Sequence, residues 1–164
     1  SGRSAPFGVV RSLRYRRGGP ACSVTNPSSS DHTGTHFDAP IHCDTGRDLS
    51  LKSVDTLPPA DMIAPACVID CSAAAAEDAD FLLTVADVVK WEEQHGRIPA
   101  RSWAFLRTDW SKKSGAAYAN LHADGAHTPG PDVEVMRFLA EERDIIGFGT
   151  EPLRSDGRRF GKGR

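Results

Sequence analysis

Residues 31–42 read Asp31-His32-Thr33-Gly34-Thr35-His36-Phe37-Asp38-Ala39-Pro40-Ile41-His42, and three of the chain's six histidines fall inside this one stretch. The spacing is His-x3-His-x-Asp-x3-His, so His32, His36, Asp38 and His42 stand at even positions, which share one face of an extended chain. A helix would also pair 32 with 36 and 38 with 42, but Gly34 and Pro40 interrupt it, and Thr33 and Thr35 favour extended backbone. Fully extended, His32 to His42 would span about 33 Å, whereas ligands of one ion at roughly 2.0–2.2 Å converge within a few ångströms. The chain has to bend, and Gly34 and Pro40 are the residues that permit it.

Two imidazoles and a carboxylate around a divalent ion leave positions open to water, the mark of a catalytic rather than a structural site. His32, His36 and Asp38 are the expected metal ligands. His42, held beyond a proline turn, is the expected proton carrier. Asp31, Thr33 and Thr35 are expected to orient the imidazoles by hydrogen bonds from outside the ligand set. A single histidine in a polar loop is ordinarily solvated and nothing more. Three with an aspartate at a common period, separated by bend residues, argue for metal. Phe37 points to the other face of an extended strand and is expected in the core, and Cys43 is not expected to ligate or attack.

Working outward, the run Ala64–Cys71 opens with proline and reads as a buried strand, followed by an alanine-rich, acidic loop. Thr84 with Asp87 three residues on forms a capping arrangement, and the helix it starts runs to Gly96. Residues 102–108 read as a second strand, 131–143 as a second amphipathic helix with Val135, Phe138 and Leu139 inward, and 145–150 as a third strand. Strand, helix, strand, helix, strand implies the α/β class. Residues 1–30 show no sustained period and read as coil with one short strand near Phe7–Val10. No glycine-rich phosphate loop joins a strand to a helix, so nucleotide binding has no support.

A chain of 164 residues with 39% hydrophobic and 26% charged residues suits one globular domain of ordinary composition. No apolar run approaches the roughly 20 residues of a spanning helix, and residues 1–20 lack the apolar stretch of a signal peptide, so no membrane is expected. Cys22, Cys43, Cys67 and Cys71 contain no Cys-x-x-Cys pair. Reduced thiols and a cytoplasmic setting are the expectation. Charge is uneven: residues 1–30 carry five arginines and no acid, residues 152–164 carry five bases and one acid, and the middle is strongly acidic. Neither basic end interleaves aromatics with its arginines, so these ends read as solvated segments and no nucleic acid partner is expected. Trp91 and Trp103 are expected in the core, Trp110 either there or at a substrate wall. His127 is a further candidate for the site, weighed against a surface turn, while His95 and His122 are expected in solvent.

The motif at 32–42 resembles the His-x-Gly-Thr-His-x-Asp-x-Pro-x-His signature of the metal-dependent cyclase family, which includes bacterial kynurenine formamidase and isatin hydrolase. Leu106–Ser111, Thr128–Gly130 and Glu141–Glu151 are similar to further stretches of that family. The resemblance implies a swivelling β/β/α-type, cyclase-like α/β domain over 31–151, incomplete at both ends. It would be flanked by a divergent basic segment (1–30) and a divergent basic tail (152–164). It implies a homodimer or tetramer and a divalent metal, Zn or Mn, held by His32, His36 and Asp38. The implied activity is hydrolysis of a non-peptide amide or lactam, such as an aryl formamide or isatin, with His42 as general acid and base. In formamidase members a later histidine and glutamate complete a second metal position. No histidine follows His127 here, so one ion is implied. The alternative is a degenerate member that binds metal or a partner without turnover.

Overall fold

A computed structural model describes residues 7–13, 23–30, 32–42 and 53–152. The chain divides into two compact units, residues 1–58 and 59–164. In the first, β1 (Gly8–Leu13) and β2 (Val24–Ser28) form an antiparallel pair running from Gly8 opposite Ser28 to Leu13 opposite Val24. The second strand corrects the coil expected for this region. Val-Thr-Asn-Pro-Ser hides it because β2 is exposed along its whole length and shows no inside–outside alternation. Pro27 is tolerated because a two-stranded ribbon consists of edges alone. A single 3-10 turn, Pro40–His42, closes the histidine-rich stretch of this unit.

The second unit contains, in chain order, β3 (Ala66–Asp70), α1 (Ser72–Glu77), β4 (Leu82–Leu83), α2 (Val85–His95) and β5 (Trp103–Arg107). It continues with α3 (Gly115–Ala119), β6 (Leu121–His122), β7 (Gly125–Ala126), β8 (Gly130–Pro131), α4 (Val133–Glu141) and β9 (Gly147–Thr150). Strands β3, β5 and β9 make a parallel sheet in that order, with Ala66 opposite Trp103 and Trp103 opposite Gly147. This is the α/β arrangement the sequence implies. Helices α2 and α4 fill the crossovers and touch each other.

Their apolar stripes meet one face of the sheet. Cys67, Ile69, Ala104 and Leu106 are buried there against Leu83, Val88, Ile98, Val135 and Leu139. Burial alternates along β3, with Ala66, Val68 and Asp70 exposed, so this strand is half-buried rather than enclosed as expected from Ala64–Cys71. The reason is that helices cover only one side. On the other side the Trp103 and Phe105 rings stack, with centroids 6.1 Å apart. They lie across Gly147 and Gly149, where an added Cβ would come within 2.2 Å of the indole and 2.5 Å of the phenyl ring. Glycine at these two positions of β9 is what lets both rings lie flat on the sheet.

The ends of α2 follow the expected chemistry. Thr84 accepts from the Asp87 N–H while the Asp87 carboxylate accepts from the Thr84 N–H at 2.9 Å, and Gly96, at φ 86°, ends the helix. The other helix starts later than the expected Pro131, because Pro131 is used in β8 beside Leu83 and Asp132 becomes the cap. The alanine-rich segment is helix α1, not a loop. Ser72-Ala-Ala-Ala-Ala-Glu77 has high intrinsic propensity, and the Asp70 carboxylate accepts from the Ser72 N–H at 2.9 Å. The Ser72 hydroxyl, and this N–H after it, hold the Asp70 carboxyl below the usual carboxylate range. Among the described residues no helix is long and apolar enough to cross a membrane.

Candidate metal centre

The bend expected at Gly34 is present: its φ of 70° is a left-handed conformation that an L side chain adopts only with strain. It turns the chain so that His32 and His36 face one another, with His32 Nδ1 at 3.0 Å from His36 Nε2. Asp38 completes the triangle, its Oδ1 at 3.1 Å from His32 Nδ1 and 3.4 Å from His36 Nε2. Beyond Pro40 the 3-10 turn is closed by the His42 N–H donating to the Ala39 carbonyl at 2.8 Å. It brings the His42 ring edge-on to His32, with centroids 4.4 Å apart. All four side chains singled out in the sequence are therefore gathered in one loop of the first unit.

The tautomer of His36 decides what this triangle can do. His36 Nδ1 lies 2.8 Å from the Gly34 carbonyl, which can only accept, so the proton sits on Nδ1 and the Nε2 lone pair is turned inward. Inward it meets the His32 ring nitrogen and a carboxylate oxygen. Acceptor atoms at these separations repel unless a cation or a proton lies between them. Edges of 3.0–3.4 Å also match a coordination polyhedron. Two ligands at roughly 2.0–2.2 Å that subtend about 90–110° are about 3.0–3.5 Å apart. The donor set, two nitrogens and one oxygen, suits a borderline divalent ion, and this is the one group of its kind among the described residues. The side chains are 31%, 27% and 45% exposed for His32, His36 and Asp38, which leaves room for water or substrate.

The orienting partners differ from those expected. The Gly34 backbone carbonyl, not Thr33 or Thr35, fixes the His36 imidazole. The Thr33 hydroxyl is buried without a hydrogen-bond partner among the described residues. Asp31 and Cys43 lie outside the described residues. A carbonyl two residues upstream leaves no trace in side-chain identities. Phe37 is 40% exposed rather than in the core, because residues 36–39 belong to no sheet and have no second face to bury.

In the second unit Trp110 is the enclosed tryptophan, at 1% exposure, with its N–H donating to the Tyr118 carbonyl at 2.9 Å. This settles the alternative left open for it in favour of the core. Trp91 is partly buried against the core, while Trp103 lies on the open sheet face. His95 is exposed and stacks on Trp91. Around the ends of β3, β5 and β9 a polar network joins Arg107 to Asp70 and Asp109, at 3.0 Å each, and Lys112 to Asp109 at 2.6 Å. The Lys112 ammonium, and Arg107 after it, keep the Asp109 carboxyl below its ordinary value. The Glu151 carboxylate accepts from the Thr108 and Ser111 N–H groups. Every acceptor named here faces a donor, so the network reads as structural.

Comparison with known proteins agrees with the motif. The cyclase family model ("Putative cyclase") matches residues 10–157, a span that takes in most of β1 and all of β2. An isatin hydrolase of Roseibium aggregatum is 46% identical over 134 residues, which is 80% of this chain and 50% of that protein. Among solved structures, isatin hydrolase A from Ralstonia solanacearum superposes with a TM-score of 0.89 at 47% identity, over 100% of this chain and 64% of that one. Isatin hydrolase A from Labrenzia aggregata, bound to benzyl benzoate, gives 0.87 at 49% identity over 97% and 62%. An isatin hydrolase bound to the product analogue thioisatinate gives 0.87 at 37% identity over 99% and 62%. The chain thus spans about half the length of the curated relative it matches, and its fold is that of the isatin hydrolases over the shared part.

Proposed function

This chain belongs to the cyclase family, and from that premise we propose that it is part of a metal-dependent hydrolase that opens a cyclic amide of the isatin type. The observation that carries the reading is the inward triangle of His32 Nδ1, His36 Nε2 and Asp38 Oδ1, three possible ligand atoms within 3.4 Å of one another at a half-open site. These three residues would hold the ion, zinc or manganese by their nitrogen and oxygen donors. Bound there, such an ion would polarise a carbonyl and bring the pKa of water down towards about 7.

The rest of the chemistry belongs to the chain. Gly34 holds the His36 lone pair inward. His42, packed against His32 and exposed, is placed to take a proton from the attacking water and return it to the ring nitrogen as the amide C–N bond breaks. The products are a carboxylate and an aryl amine. Phe37 and Ile41, both partly exposed beside the triad in sequence, offer apolar surface to an aromatic ring.

The proposal includes a homodimer or tetramer, resting on the family, and a cytoplasmic setting, which the free thiols of Cys67 and Cys71 favour. Light scattering on the purified protein tests the first. For the activity, metal analysis is combined with isatin hydrolysis followed by loss of the isatin absorbance. Stoichiometric ion and turnover abolished by chelation are expected. A bound ion without turnover of isatin or aryl formamides would identify the degenerate alternative, and the absence of any ion would remove the hydrolase reading.

A further inference from the structure

The sequence offers His127 as a further candidate for the site. It lies in the second unit with both ring nitrogens paired, Nδ1 at 2.9 Å from Asp80 Oδ2 and Nε2 at 3.1 Å from Asp124 Oδ1, and belongs to the packing of that unit. The loop of the first unit holds a residue that neither the motif nor the proposed chemistry uses. Ser30 stands two residues beyond the end of β2 and two before His32. Its hydroxyl accepts from the His32 N–H at 3.3 Å, and its carbonyl accepts from the Thr33 N–H at 3.2 Å. Serine is favoured at the head of such a turn because its short side chain reaches the backbone N–H two residues on.

We infer that Ser30 is a positioning residue of the metal centre, acting through the backbone of His32; the inference rests on the metal-binding reading of the triangle. The root of a side chain goes where its backbone goes, and the His32 ring has to meet His36 Nε2 at 3.0 Å and Asp38 Oδ1 at 3.1 Å. A site holds its ligands to within about 0.5 Å only where their own orientation is locked from outside the set. The two imidazoles are then locked at the same offset along the chain: His36 by the Gly34 carbonyl at 2.8 Å, His32 by the Ser30 hydroxyl. One contact fixes a ring and the other a backbone. With the Ser30 hydroxyl removed, the stretch ahead of His32 is less ordered before the ion arrives, and the entropy of ordering it is subtracted from the affinity.

Titration of the metal-free protein with Co(II), read by visible absorption and calorimetry, tests this on the parent chain, Ser30→Ala, Ser30→Thr and Asp38→Ala. Ser30→Ala is expected to weaken Co(II) binding about two- to tenfold, the range of one uncharged hydrogen bond, with the urea-unfolding midpoint of the metal-free protein unchanged. Ser30→Thr, which keeps the hydroxyl, is expected to bind as the parent does. Ser30→Ala binding Co(II) as tightly as the parent, a loss that Ser30→Thr fails to recover, or a lowered unfolding midpoint in the metal-free protein would each overturn the positioning role. The Asp38→Ala arm separates this role from the reading it rests on. A parent that binds no Co(II), or binding that Asp38→Ala leaves intact, removes the metal centre itself, whereas an intact centre insensitive to Ser30 removes only the role of Ser30.

Discussion

The charged groups of the two units are arranged by opposite rules. In the second unit donors face acceptors. Arg143 clamps Glu92 through two bonds of 2.7 and 2.9 Å, with side chains only 8% and 11% exposed, and the Ile98 N–H adds a third. In the loop of the first unit, three possible metal-ligand atoms converge at more exposed positions. A matched and buried pair is complete within the protein and stabilises its surroundings. Converging ligand atoms at a half-open site fit a cation from outside. On the proposed reading the same side-chain types serve architecture in one place and chemistry in the other, and the partners each side chain meets tell them apart.

The largest effect should follow from removing a vertex of the triangle. His36→Ala or Asp38→Ala is expected to lower metal affinity and isatin turnover by more than about 100-fold, since even outer partners of metal ligands contribute 10–100-fold. The unfolding midpoint of the metal-free protein should barely move, and equilibrium dialysis with a turnover assay reads both. His42→Ala should leave the ion bound but cost about 10²–10⁴ in kcat, the usual share of a general acid or base. If His42→Ala instead lost the ion, the division of labour within the motif would be wrong.

On the other side of the comparison, Glu92→Ala should destabilise the fold by about 3 kcal/mol in chemical denaturation, because it strands a buried guanidinium. The double variant Glu92→Met/Arg143→Met should lose far less. Acid acts in the same direction. The Arg143 hydrogen bond holds the Glu92 carboxyl below its ordinary value, so the folded state binds this proton less readily than the unfolded chain. Its stabilising contribution is therefore present above about pH 4.3 and fades as pH falls through the lower folded value. An acid-unfolding curve that Glu92→Gln leaves unshifted would contradict this.

How much of this was legible in the sequence depends on how far apart the cause and the effect lie along the chain. Thr84, Asp87 and Gly96 announce α2 because capping acts within four residues. The period of His32, His36, Asp38 and His42, with Gly34 as the bend, announces the loop for the same reason. The orienting role of the Gly34 carbonyl stayed hidden, since a backbone atom has no letter of its own. The Asp80–His127 contact spans 47 residues, and the Arg143–Glu92 pair 51, distances that no local pattern encodes. Strand β2 escaped notice because an exposed ribbon need not alternate. Helix α1 escaped because four alanines among acids look like linker until the Asp70 carboxylate is seen to accept from the Ser72 N–H that opens the helix.

The smallest expected effect is also the cleanest check on the second unit's rule. At Thr84 both orphan donors of the first turn of α2 are satisfied reciprocally, the Asp87 N–H by the threonine hydroxyl and the Thr84 N–H by the aspartate. Thr84→Ala removes one of these bonds and leaves the other in place. The loss should be about 1 kcal/mol, typical for an N-cap, and Thr84→Ser, which keeps the hydroxyl, should restore nearly all of it. Measured by urea unfolding at constant m-value, a loss of that size says that each donor–acceptor match contributes locally and modestly. A loss nearer 3 kcal/mol would mean that the Thr84 methyl supports the packing of Val85 and Val88, so that the cap and the core could not be treated as separate contributions.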